Sequence, residues 1–89
     1  MPTYLIEVRH EDDRQGCVRA LHALEQSGSH FITHADFGCS DGTHCGWLKV
    51  EVENRHMAEQ IVPPEFRSVV RIVELQKFTR EDIHQMMKQ

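Results

Sequence analysis

The 89-residue chain lacks the features that would assign it at once to a common functional class. No apolar run is long enough for a membrane span, and the first residues, Met1 to Tyr4, are not typical of a signal peptide. Basic residues form no run, and ten Lys and Arg against fourteen Asp and Glu leave a net charge of −4. Such an acidic chain is a poor candidate for binding nucleic acid or an anionic membrane surface.

Several motifs of known chemistry are also missing. The chain has no GxGxxG, P-loop, HExxH or GxSxG sequence, so nucleotide binding, zincin proteolysis and serine hydrolysis have no support. Its three cysteines, Cys17, Cys39 and Cys45, form no CxxC pair, which is the usual spacing in structural zinc sites. An odd cysteine count without a signal peptide argues against a disulfide framework and predicts a reducing, cytoplasmic location.

The residues that are present predict a single α+β domain over residues 1–89. Periodicity and turn residues indicate strands over Thr3–Arg9, His30–Cys39, His44–Glu53 and Ser68–Gln76. Helices are expected between the first two strands, from the Asn54 cap to about Ile61, and after Thr79, where Asp82 makes a capping box. The order β-α-β-β-α-β with a C-terminal helix is that of the ferredoxin-like split βαβ unit.

The Asp41-Gly42 dipeptide lies between two strand-like runs and predicts a hairpin. Either a two-residue turn or a four-residue loop here sets the same register, with Asp36 opposite Trp47 and His34 opposite Lys49. Side chains alternate across a sheet, so this register divides them between two faces.

One face of the predicted sheet is apolar and should lie beneath the helices. The other face is polar, carries an exposed indole, and is expected to include Glu7, His34, Asp36, Cys45, Trp47 and Lys49. A chain this short buries little surface, so a half-polar open face predicts a homodimer that encloses a cavity between two sheets. The alternative is a solvated face on a monomer.

Three segments together resemble a known group of proteins. The start Met-Pro-Thr-Tyr-Leu-Ile-Glu, the run Ile32-Thr33-His34-Ala35-Asp36 and the Asp41-Gly42 hairpin are similar to small stand-alone dimeric α/β-barrel proteins. These are bacterial and mostly uncharacterised, and one branch is reported as nickel-binding. The resemblance implies a ferredoxin-like fold and a homodimer, and it aligns His34 and Cys45 with a His and a Cys of the nickel-binding branch. This chain lacks the aromatic residue that often follows that His.

The polar face offers a candidate transition-metal site for nickel or zinc. His34 and Asp36 lie two residues apart on one strand, about 6–7 Å, and Cys45 is diagonal to Asp36. Imidazole, carboxylate and thiolate suit these metals. A second copy could complete the ligand shell across a dimer axis, and the alternative is a polar cavity lining without metal.

The same face supports a small-ligand site, with Trp47, Lys49 and Glu7 in its lining. In this alternative the protein is a cofactor-independent enzyme of isomerase or monooxygenase type. His34 would be its acid or base, Asp36 would orient the imidazole, and Trp47 would stack on a flat substrate. A third possibility is a structural or regulatory dimer whose C-terminal helix, with Ile83, Met86 and Met87, docks on a neighbour.

The remaining histidines and cysteines are interpreted within their own elements. Cys39 opposes His44 at the end of the hairpin with Asp41 nearby, but two ligands are too few for a closed tetrahedral site. Cys17 is expected to be a buried apolar residue of the first helix. His10 is expected to be solvated at a strand end.

Overall fold

The computed structural model describes residues 1–10, 14–26 and 34–88. Its elements in chain order are β1 (Thr3–Arg9), α1 (Arg14–Gln26), β2 (Asp36–Phe37), a 3₁₀ turn (Cys39–Asp41), β3 (Cys45–Glu51), α2 (Arg55–Ile61), a second 3₁₀ turn (Pro64–Phe66), β4 (Val70–Leu75) and α3 (Arg80–Met87). The α+β class is as predicted. No helix among these residues is long and apolar enough to cross a membrane.

One antiparallel sheet with the strand order β2-β3-β1-β4 organises the fold. The central strand β1 alternates as predicted, and Tyr4, Ile6 and Val8 are buried. Leu24 of α1 and Ala58 of α2 join them in the core, so both helices cover the same face of the sheet. Each fully buried aliphatic side chain here contributes roughly 1.5–3 kcal/mol.

The register of the hairpin is confirmed where the strands pair. Asp36 lies opposite Trp47 and Phe37 opposite Gly46. Of the two connections that the sequence left open, the two-residue turn is not formed, because Gly42 is the sole described residue with positive φ, at 84°, and Asp41 keeps an ordinary conformation. Positive φ costs a residue with a Cβ roughly 1–2 kcal/mol. The longer 3₁₀ turn avoids that cost, and it takes Cys39 out of the strand ladder.

The second strand is shorter than the sequence indicates. Its ladder begins at Asp36, so the predicted pairing of His34 with Lys49 is not formed, and His34 itself has a helical backbone conformation. Strand β2 lies at the edge of the sheet, next to β3. Its length therefore depends on the hydrogen bonds that it makes with β3. The predicted strand residues 30–33 lie outside the described residues.

The caps predicted for the last two helices are confirmed, whereas the ends predicted for the first helix, at residues 12 or 13 and 28, lie outside the described residues. Asn54 accepts a hydrogen bond from the Met57 N–H, and Thr79 and Asp82 form a reciprocal capping box. The helix α3 that follows buries none of its residues. The radius of gyration is 15.7 Å and the longest extent 51 Å, whereas a compact chain of this length has a radius of about 12 Å. An unpacked terminal helix extends a small domain in this way.

Candidate metal centre

Four side chains with metal-binding atoms converge at one end of the sheet. They are His10, Cys17, Cys39 and His44, and one ligand atom from each lies within 4.8 Å of the others. This is the one such group of three or more His, Cys, Asp or Glu found among the described residues. The four come from four different positions in the fold, so no short sequence motif contains them.

The β1 and β3 strands position the two histidines. His10 directly follows β1, in which alternate residues up to Val8 face the helices. His44 lies just before β3, and the pairing of Val8 with Gly46 places the two histidines side by side. The His10 N–H donates to the His44 carbonyl at 3.3 Å, which extends the ladder by one pair. The two imidazole rings then meet edge to face, with centroids 5.3 Å apart and an interplanar angle of 76°.

The helix α1 and the 3₁₀ turn supply the two cysteines. Cys17 shares one helix face with Ala20 and Leu24, and this face packs toward the sheet. The 3₁₀ turn brings Cys39 over the end of β1, where its Sγ lies 3.2 Å from His10 Nε2. The Sγ atoms of Cys17 and Cys39 are 2.7 Å apart. The two thiols therefore point at each other and at the histidines.

One nitrogen in this group has no hydrogen-bond partner among the described residues. It is His44 Nδ1, which is inaccessible to solvent. A buried polar atom without a partner costs about 1–3 kcal/mol. A metal ion bound to this nitrogen would remove that cost, so the orphaned atom independently indicates a ligand.

The thiol of Cys39 is strongly held in its protonated form. Burial is the main cause, and the neighbouring Cys17 thiol adds to it, so the pKa of Cys39 is raised from 9.0 to about 11. In the metal-free protein this thiol is neutral at pH 7. A metal ion must displace its proton to bind, and metal binding is therefore coupled to proton release.

Two sulfurs and two imidazole nitrogens are the donor set of a tetrahedral zinc site. At a zinc–sulfur distance of about 2.3 Å, two thiolates on one tetrahedral ion are about 3.8 Å apart. The two sulfurs here are 2.7 Å apart and must separate by about 1 Å to share an ion. Four protein ligands would fill the tetrahedron, which is the pattern of a closed site rather than of a catalytic one with an open position.

A groove lies beside the metal-ligating group. Its volume is about 640 Å³, and His10 forms part of its wall. The rest of its lining mixes apolar and charged residues, which are Ala20, Ala23, Phe66 and Val69 with Arg9, Arg19 and Glu65. The groove gives small solutes access to the His10 side of the group.

The open face of the sheet holds the residues that the sequence indicated as a site. His34, Asp36, Trp47 and Lys49 all line one groove of about 340 Å³, together with Leu5. Gly38 supports this arrangement, because a Cβ there would lie 2.9 Å from Trp47 Cζ3 and 2.8 Å from the Thr43 carbonyl oxygen. The tryptophan ring therefore packs directly on the backbone of the hairpin.

Two further predicted residues lie apart from the lining of that groove. Glu7 is the strand partner of Trp47, and Cys45 is that of Arg9. Cys45 is 2% exposed, and its pKa is raised to about 11 by burial and then by the Glu7 carboxylate. That His34, Asp36 and Cys45 bind a metal stays a prediction, since the described group with converging ligand atoms is a different one.

The sequence therefore indicated half of the converging group. Sequence patterns indicate Cys39 and His44 as a pair, whereas they predict a solvated His10 and a buried, apolar role for Cys17. Both signals were present: His10 continues the alternation of Tyr4, Ile6 and Val8, and Cys17 begins the buried face of α1. Either pattern by itself is ordinary, and only the packing of α1 on the sheet joins them.

The chain matches no protein-family model, no curated protein and no solved structure.

Proposed function

We propose that this protein binds one transition-metal ion through His10, Cys17, Cys39 and His44, and that it prefers zinc to nickel. The observation that carries the proposal is the convergence of four ligand atoms within 4.8 Å from four separate parts of the fold. The orphaned, buried Nδ1 of His44 supports it. With the tetrahedron closed by protein ligands, the ion's role is structural or the ion is a reversibly held cargo, not a Lewis acid that takes a substrate.

Cobalt substitution tests this proposal most directly. We expect the reduced protein to bind one Co²⁺ with intense tetrahedral ligand-field bands and thiolate charge-transfer absorption, and one equivalent of Zn²⁺ to bleach both. The variants Cys17→Ser and Cys39→Ser should lose the charge-transfer signal.

The chain offers a matched control for each ligand type. Cys45→Ala removes a buried thiol that is adjacent to His44 in sequence but faces the other side of the sheet. His22→Ala removes an exposed imidazole from α1. Octahedral cobalt spectra, or signals that depend on Cys45 and not on Cys39, would overturn the proposal.

The oligomeric state and the fold family belong to the same proposal. We assign the chain to the ferredoxin-like group on the β-α-β-β-α-β order and the central pairing of β1 with β3. A homodimer through the open face is supported by the half-buried apolar residues Leu5, Val73 and Leu75, which lie on the side away from α1 and α2. Sedimentation equilibrium would test the dimer. The free thiols of the metal site fit a reducing compartment such as the cytoplasm.

A small-ligand function for the open face is the second candidate. The observation that favours it is the 340 Å³ groove that gathers His34, Asp36, Trp47 and Lys49. A flat organic anion could stack on the indole and pair with the ammonium group, and His34 with Asp36 would supply acid or base chemistry in an enzyme. Quenching of Trp47 fluorescence by aromatic carboxylates, lost in Lys49→Ala, would test it.

A further inference from the structure

The two cysteines of the metal-ligating group are unusually close to each other. Their Sγ atoms are 2.7 Å apart, which is about 0.7 Å longer than a disulfide bond. The same distance is about 1 Å shorter than the separation of two thiolates on a tetrahedral zinc ion. The pair is thus nearer to the geometry of a disulfide than to that of a metal site, although both cysteines are thiols in the structure.

The third cysteine, Cys45, is not placed to form a disulfide with Cys17 or Cys39. Cys45 lies on the other side of the sheet, where Glu7 contacts its thiol and where its Sγ is 3.7 Å from the Gly46 carbonyl oxygen. Of the three disulfides that three cysteines allow, the one between Cys17 and Cys39 is therefore the one whose sulfurs are already in contact.

We propose that Cys17 and Cys39 are a redox pair, which a peroxide converts into a disulfide, and that this oxidation releases the metal ion. One thiolate attacks the peroxide O–O bond and becomes a sulfenic acid, and the second sulfur displaces hydroxide from it. Overall, two thiols and one hydrogen peroxide give one disulfide and two water molecules. Starting from the metal-bound form, the reaction consumes two protons. The divalent ion then dissociates, because only the two histidines remain to bind it.

A proton acceptor lies beside the pair, and a thiol must lose its proton before it attacks the peroxide. His10 Nε2 lies 3.2 Å from Cys39 Sγ and can accept the proton that the thiol loses. Cys39 is only partly buried, so a molecule as small as hydrogen peroxide can reach its sulfur. Metal release follows because a disulfide sulfur is a poor ligand compared with a thiolate. The release step rests on the proposed function, whereas disulfide formation does not.

The first measurement uses reduced, metal-free, wild-type protein treated with hydrogen peroxide and then with an alkylating agent. We expect the intact mass to show the loss of two hydrogens and one alkylated cysteine, and peptide mapping to join Cys17 to Cys39. Cys45→Ala should form the same disulfide and leave no alkylated thiol. A disulfide that includes Cys45, or oxidation that stops at sulfinic acid, would overturn the inference.

The second measurement uses zinc-loaded protein and a chromogenic zinc chelator. Peroxide should release one equivalent of zinc in step with disulfide formation, and a thiol reductant followed by removal of the chelator should restore binding. If zinc binds but oxidation neither forms the disulfide nor releases the ion, the redox inference is wrong and the proposed function stands. If the disulfide forms but the reduced protein binds no zinc, the proposed function is wrong and the release step falls with it.

Discussion

Two regions of this small domain carry metal-binding types of residue, and they differ in how their side chains are brought together. On the open face, His34, Asp36 and Trp47 come from β2, its preceding turn and its hairpin partner β3, and line a shallow groove. At the helix-covered end, four ligands come from a strand end, a helix and the two sides of a turn. The residues of the open face stay spread along the strands of the hairpin, whereas a strand end and a helix meet the turn of that hairpin at one point.

Burial separates the two regions further. His34 and Asp36 are exposed, so folding removes little water from their polar atoms. In the other region Cys17 is 8% exposed and His44 Nδ1 is fully shielded. Metal binding is strongest where folding has already removed water from the ligand atoms, because no further desolvation then opposes it. This favours the converging group over the open face.

The largest expected effect comes from removing a ligand of the converging group. Cys39→Ser should weaken zinc binding by more than about 100-fold, because even the loss of a group that merely orients a ligand costs 10–100-fold. Competition with a chelator of known affinity measures the change. Cys45→Ala should leave the affinity within about twofold, and equal losses in the two variants would contradict the assignment.

The pH dependence of zinc affinity should be almost as large. The pKa of Cys39 is about 11, so its thiol carries a proton that zinc displaces at every pH well below that value. Affinity should therefore rise by at least about tenfold per pH unit between pH 7.5 and 9. Chelator competition at fixed ionic strength gives the slope, and a flat profile would show that Cys39 is not a ligand.

The same raised pKa predicts the opposite trend for the stability of the metal-free protein. The folded state holds the Cys39 proton more tightly than the unfolded state, in which the pKa is near 9.0. This contribution to stability is complete below pH 9 and is lost as the pH rises toward 11. Urea denaturation of the metal-free protein across this range should show the decline, and Cys39→Ala should reduce it. Part of the decline should persist, because the raised pKa of Cys45 has the same sign.

A pair of histidine variants separates the two regions directly. His10→Ala should weaken zinc binding by at least about tenfold, because it removes a ligand of the converging group. His34→Ala should leave zinc affinity within about twofold and change ligand binding in the open groove instead. Isothermal titration with zinc compares the two variants under one condition. The reverse ranking would transfer the metal site to the open face.

The smallest effect on metal binding is expected at Gly38, which connects the two regions. A Cβ at this position would approach the Thr43 carbonyl oxygen to 2.8 Å and the Trp47 ring to 2.9 Å. Gly38→Ala should destabilise the fold by about 1–3 kcal/mol and shift the Trp47 emission. Urea denaturation followed by fluorescence measures both, and an unchanged emission spectrum would show that the indole does not pack on the hairpin.

Much of the local structure is readable from neighbouring residues. The alternation in β1, the Asn54 cap, the Thr79 and Asp82 capping box and the pairing of Asp36 with Trp47 all depend on short-range patterns. The turn type was not readable, because a two-residue turn and a longer one leave the same register. Cys39 leaves the strand ladder through the longer turn, and this displacement brings it to Cys17.

The amino-acid sequence by itself determined the α+β class and the register of the hairpin, and it brought Cys39 and His44 together at the end of that hairpin. Only the tertiary structure decided that His10 and Cys17 join these two residues in one group. The physical reason is that the periodicity of a strand or helix shows which of its faces is buried, but not which other element packs against that face. Burial of Leu24 and its neighbours against β1 docks α1 on the sheet, and that docking places the Cys17 sulfur beside Cys39.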